Sequence, residues 1–141
     1  MAMDLQRSPD GTLILALSLH DFGLVFEAVT ATAAATERTG APPIPVEPAV
    51  VRHLDHWVRQ EVRGARRERQ PSANDAEPSR RDRIVHVALS REDFCALADL
   101  VSTLKGSWTT LPAGLYDLGE PDLTRLSAEL TRLESAMESA H

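Results

Sequence analysis

The side chains with the widest chemical range in this sequence are five histidines, one cysteine and a few serines that precede acidic residues. Ser18 and Ser90 are each followed three residues later by an aspartate, Asp21 and Asp93. A serine nucleophile raised on a strand-to-helix elbow needs glycines around it, and neither serine has them. The same spacing suits a helix cap. The hydroxyl accepts a backbone N–H of the first turn, and the acid sits at the positive end of the helix dipole. His53 and His56 lie three apart on a helical stretch, a spacing that can place two ligands on one metal. The zinc-helix motif needs four plus a base, and His56 points into an arginine face that repels a cation, so no metal site is expected. Cys95 falls one turn into a helix between Glu92, Asp93 and the apolar face, which reads as a small half-buried residue. His86 falls on a strand. Only a convergence of His20, Asp21 and His86 would make a small enzyme of this chain. No catalytic residue and no cofactor are assigned.

The arginines make the stronger pattern. Arg52, Arg59, Arg63 and Arg66 recur on one side of a helix whose other side carries Val51, Leu54 and Val58. Arg67 and Arg69 continue the stripe, and Asp55, Glu61 and Glu68 partly balance it. Guanidinium groups in such a row suit phosphate or an acidic protein. The whole chain has a net charge of −6, with nine of its 15 basic residues between Arg52 and Arg83. A nucleic-acid binder is normally basic overall. Aromatic residues at 4% supply no stacking platform for single strands. A helix-turn-helix needs a short turn, whereas Gly40-Ala41-Pro42-Pro43 enforces an extended connector. A nucleic-acid regulator using the arginine helix is therefore the secondary reading, and an acidic protein partner the primary one. Trp108, Leu111, Leu115 and Tyr116 form an apolar loop. It reads as a cap on the core, with Trp108 and Tyr116 as candidate interface anchors. The candidate partner-binding set is thus Arg52, Arg59, Arg63, Arg66, Trp108 and Tyr116.

The elements that must hold these residues are written twice. Leu17-Ser18-Leu19-His20-Asp21-Phe22 returns as Leu89-Ser90-Arg91-Glu92-Asp93-Phe94, 72 positions on. Leu13 and Leu15 meet Val85 and Val87 at that offset, and Glu47-Pro48 returns as Glu120-Pro121 at 73. A repeat of this length signals duplicated supersecondary units. Thr12–Leu17 and Ile84–Leu89 read as strands. Each runs into a capped helix with Phe22, Val25, Phe26 and Val29, or Phe94, Leu97, Val101 and Leu104, on its apolar side. Gly40 and Gly106 end these helices. Second helices begin near Pro48, at a position where a missing N–H is harmless, and near Pro121. The latter carries Leu123, Leu126, Leu130, Leu133 and Met137 at seam spacing.

These readings define an α+β, helix-dominated fold. It is an internal duplication of a β-α-α unit, with its two strands pairing at a pseudo-twofold axis. Residues 1–10 read as a polar leader, 11–67 as the first unit, 68–82 as a polar flexible linker and 83–141 as the second unit. The two share one core, since about 70 residues alone bury too little surface. Two strands are marginal by themselves, so the helices supply most of the burial or a partner extends the sheet; a homodimer is compatible with this. No apolar run reaches the length of a membrane span, there is no signal-peptide core, and a single cysteine makes no internal disulfide. The expectation is a soluble cytoplasmic protein. Its function is that of a small non-catalytic protein-binding module of adaptor, inhibitor or immunity type.

Overall fold

A computed structural model describes residues 3–68, 83–111 and 114–139. Three strands and four helices follow one another as β1 (Asp4–Arg7), β2 (Leu13–Ser18), α1 (Leu19–Thr39), α2 (Pro48–Glu68), β3 (Ile84–Leu89), α3 (Arg91–Ser107) and α4 (Glu120–Ser139). A 3-10 turn, Trp108–Thr110, follows α3. The fold is α+β and helix-dominated, with a three-stranded antiparallel sheet in the order β1-β2-β3. Residues 69–82, which hold nearly all of the segment read as a linker, lie outside the described residues.

The sheet has one strand more than the sequence reading contains. Asp4–Arg7, within the stretch read as a polar leader, pairs with β2 from Asp4↔Ala16 to Arg7↔Leu13. The turn chemistry after it makes the hairpin. The Ser8 hydroxyl and the Thr12 N–H (2.9 Å) both donate to the Asp10 carboxylate, and Gly11 N–H reaches Ser8 C=O at 3.0 Å. Gly11 takes a φ of 90°, which glycine reaches without steric cost. With Leu5 the only apolar residue in Asp4–Arg7, the strand carries no hydrophobic alternation of its own. Burial comes just before it, at Met3 (2% exposed), whose carbonyl accepts Arg132 Nη2 of α4 at 2.8 Å.

β2 and β3 pair antiparallel, from Leu13↔Leu89 to Ser18↔Ile84. Leu15 faces Val87, its counterpart at the 72-residue spacing, and the flanking pairs Leu13↔Leu89 and Leu17↔Val85 exchange counterparts. Leu13, Leu15, Leu17, Val85, Val87 and Leu89 are buried against the helices. Ile14, Ala16, Ile84, His86 and Ala88 point to the other face, as period-two geometry requires.

Both long first helices start as their caps dictate. Ser18 Oγ accepts the Asp21 N–H at 3.1 Å, and Ser90 Oγ accepts the Asp93 N–H at 3.0 Å. Gly40 ends α1 in the left-handed region (φ 81°), its N–H on Thr36 C=O. Four threonines inside α1 return their hydroxyls to the carbonyl four residues back. Thr32 and Thr36 are thereby buried with their polar groups satisfied. α3 runs through Gly106 to Ser107 and is continued by the 3-10 turn, so this glycine stops nothing. α1 packs chiefly on α2 and α3 on α4, with lesser α1–α4 and α2–α3 contacts closing the layer. Val51, Leu54 and Val58 of α2, Phe94, Leu97 and Leu104 of α3, and Leu123, Leu126 and Leu130 of α4 are fully enclosed.

Candidate partner-binding surface

α2 is the most sharply divided element of the molecule. Its apolar stripe is fixed by burial, and Trp57 adds a directional tie, donating its indole N–H to Ala88 C=O at 2.8 Å. That leaves Arg52, Arg59 and Arg63 exposed on the opposite side. Arg66 continues the helix further on. Arg59 Nε lies 3.1 and 3.2 Å from the two oxygens of Asp55, one helical turn earlier. With the Arg59 side chain 55% exposed, this pair orients the guanidinium and adds only about 0.3–0.5 kcal/mol. The two histidines of α2 turn to different partners. His53 Nε2 sits 2.8 Å from Asp93 Oδ1 at the start of α3, while His56 faces Gln60 at 3.4 Å.

The apolar loop is anchored to α1 at two points. Tyr116 OH and Thr32 Oγ1 are 2.6 Å apart in the interior, and Asp117 N–H donates to Glu27 Oε1 at 3.0 Å. Tyr116 is 8% exposed, and burial pushes its phenol above the usual 10.0. Its ring tilts against Trp108 with centroids 5.9 Å apart. Tyr116, a candidate interface anchor by residue type, therefore stands as a core residue with little area left for a partner. Trp108, Leu111 and Leu115 pack on the core while remaining partly accessible.

Between the loop and the two long helices runs an open groove of about 630 Å³. Thr30, Ala31 and Ala34 of α1 and Leu115 of the loop line it, and so do Glu27, Glu37, Arg38 and Arg59. The fold thus joins one arginine of the α2 face and one residue of the apolar loop at a single concavity. The sequence reading treats the arginine helix and the apolar loop as two distinct features. It also missed the α1 contribution, where an Ala-rich run with flanking Glu and Arg looks like ordinary helix filler. Arg52 and Arg63 are not among the lining residues.

Each of the residues considered for chemistry has a definite place in the packing. Asp21 is 3% exposed and receives both Nη atoms of Arg125, at 3.0 and 2.7 Å. This bidentate pair joins α1 to α4 and holds the guanidinium more firmly protonated. His86 lies on the face of the sheet away from the helices, and His20 is half-buried. Cys95 is half-buried, and its thiol is pushed above the usual 9.0 by burial and then by Glu134, the opposite of an activated thiolate. Among the described residues, every buried side-chain polar atom has a partner. No helix among them is long and apolar enough to cross a membrane.

No protein-family model, curated protein or solved structure matches the chain.

Proposed function

We propose that the protein is a small non-catalytic binding module of adaptor, inhibitor or immunity type. It takes an acidic protein surface on the α2 arginine face and the adjoining groove, and it works in the cytoplasm. One observation carries this reading: Arg59 and Leu115 line the same groove. A cationic row and an apolar contact are thereby offered together, the combination of charged rim and apolar anchor that protein interfaces use. The buried carboxylate and the cysteine are tied into packing, which leaves them no part in the reading.

The test is a pair of variants against one partner. The first reverses charge with Arg59→Glu and Arg63→Glu together; the second is Leu115→Glu. Both sets of positions are at least partly accessible, so thermal unfolding should stay near wild type for each. Cross-linking in the native host should recover a protein that both variants lose. The loss for the arginine variant should shrink as salt rises, because screening already weakens the wild type. Salt-steep binding of wild type to duplex DNA, abolished by the arginine pair and untouched by Leu115→Glu, would instead establish the nucleic-acid reading.

We further infer that the scaffold is a duplicated β-α-α unit with a pseudo-twofold axis at the Leu15↔Val87 pair. The symmetric ladder and the matched caps support this. A second pair of contacts supports it more directly. Asp21 and Asp93 are 72 apart, as are His53 and Arg125, and the contacts they make are Asp21–Arg125 and Asp93–His53. Each cap aspartate therefore reaches the second helix of the other unit at the equivalent position.

A further inference from the structure

We propose that the face of the sheet turned away from the helices is a self-association surface, closed by the same face of a second copy of this chain. A sheet with one face in water normally alternates apolar and polar residues along each strand. β2 does not: it reads Leu13-Ile14-Leu15-Ala16-Leu17, with the odd positions sealed by the helices and Ile14 and Ala16 on the other side. β3 adds Ile84 and Ala88 to that same side, where His86 and Ala88 are exposed and Ile84 is half-buried. The centre of the face is therefore apolar for reasons the molecule's own helices do not account for.

The register says what fits it. Asp4, Ala16 and His86 form one row across the three strands, and Gln6, Ile14 and Ala88 form the next. A carboxylate stands at one edge of the sheet and an imidazole at the other. Consider a second copy laid face to face by a twofold axis parallel to β2. Ile14 meets Ile14, Ala16 meets Ala16, and Asp4 of each copy lies over His86 of the other. The face is its own complement, the condition for an isologous dimer, and sheets stack in this way at about 10 Å. With strands of four, six and six residues at ~3.4 Å per residue and ~4.8 Å apart, the footprint is roughly 260 Å² per copy. That lies well under the ~800 Å² of a standard interface. The dimer is accordingly weak and concentration-dependent.

Sedimentation equilibrium of the full chain from about 10 μM to about 1 mM, the range in which weak complexes dissociate, tests it. Wild type should show a reversible monomer–dimer equilibrium. Ile14→Glu buries an unpaired carboxylate in each copy and should weaken the dimer by about a hundredfold or more. Ala88→Glu changes an exposed position on the same face and should do likewise with the fold intact. Asp4→Lys should weaken it by about tenfold, and Asp4→Lys combined with His86→Glu should restore it, because the crossed contact is then re-formed with donor and acceptor exchanged. A merely structural role for either residue predicts no such restoration. A wild-type chain monomeric across the range, with the face free or taken by some other protein, overturns the proposal. So does Ala88→Glu dimerising like wild type, or the double charge swap failing to recover.

Discussion

Replacing Arg125 with methionine removes both guanidinium hydrogen bonds of a carboxylate that is 3% exposed, and the geometry sets the size of the effect. Asp21 accepts two guanidinium hydrogen bonds, of 3.0 and 2.7 Å, in a bidentate fork. A hydrogen bond to a charged group contributes about 1.5–3 kcal/mol, and orphaning a buried ion costs about 3–5 kcal/mol. The Arg125 side chain, however, is 44% exposed, so water can follow it out and hydrate part of the vacated site. The expected cost is therefore about 2–3 kcal/mol, well below the buried-pair limit. For a chain of this size that lowers the unfolding midpoint by roughly 5–12 °C. Methionine keeps the aliphatic stem, so packing loss stays small. A double-mutant cycle with Asp21→Ala isolates the pair: in that background Arg125→Met should cost no more than about 0.5 kcal/mol. The control is the matched contact in the other half. His53 is 62% exposed against Asp93, and His53→Ala should cost at most about 1 kcal/mol. Arg125→Met costing the same with and without Asp21, or costing no more than His53→Ala, would refute the assignment of Asp21–Arg125 as an energetic pin.

Two further outcomes follow from the caps and the loop. Ser90→Ala and Ser18→Ala should each destabilise by about 1 kcal/mol in chemical denaturation, and by similar amounts, since the capping bonds measure 3.0 and 3.1 Å; a null effect at either site means the cap is not formed in solution. Tyr116→Phe should cost about 1 kcal/mol, because Thr32 loses the phenol but keeps its bond to Ala28 C=O. Burial raises the Tyr116 phenol above 10.0, so the folded state favours the neutral form. Its contribution is full below pH 10.0 and is lost as pH rises through the higher folded value. Alkaline unfolding curves of wild type and Tyr116→Phe should converge as pH climbs past that point.

Helices and caps were legible because each rests on local chemistry. Ser18 and Ser90 with an aspartate three residues on, Gly40 after α1, Pro48 at the head of α2 and the Leu123–Met137 stripe all announce themselves within a few residues. β1 was not legible, since Asp-Leu-Gln-Arg has no alternation and becomes a strand only because the Asp10-Gly11 turn folds it onto β2. Gly106 misled for a related reason: glycine ends a helix when a left-handed residue is needed, and the chain here continues into a 3-10 turn instead. The groove was invisible for a different cause. Its residues come from α1, α2 and the loop near Leu115, and nothing in a one-dimensional pattern says that Ala34 and Arg59 will face a common space. Tyr116 illustrates the same limit, because an anchor and a core residue share one residue type until Thr32 is seen 2.6 Å away.

The two cap aspartates, Asp21 and Asp93, do unequal work. Both occupy the third helical position behind a serine, and both reach across to a second helix. On one side the partner is arginine, which stays charged at any pH the fold meets and offers a planar fork to a buried carboxylate. On the other it is histidine, whose single contact is largely open to solvent. The bidentate side closes α1 onto α4 next to the strand hairpin, where Arg132 also ties α4 to Met3. The histidine side closes α2 onto α3 at the end of the helix that carries the arginine face. The rigid pin thus lies with the sheet and the lighter contact with the helix that presents charge to solvent. If α2 adjusts its position when a partner binds, the His53–Asp93 contact is the one that can yield without exposing an unpaired buried charge.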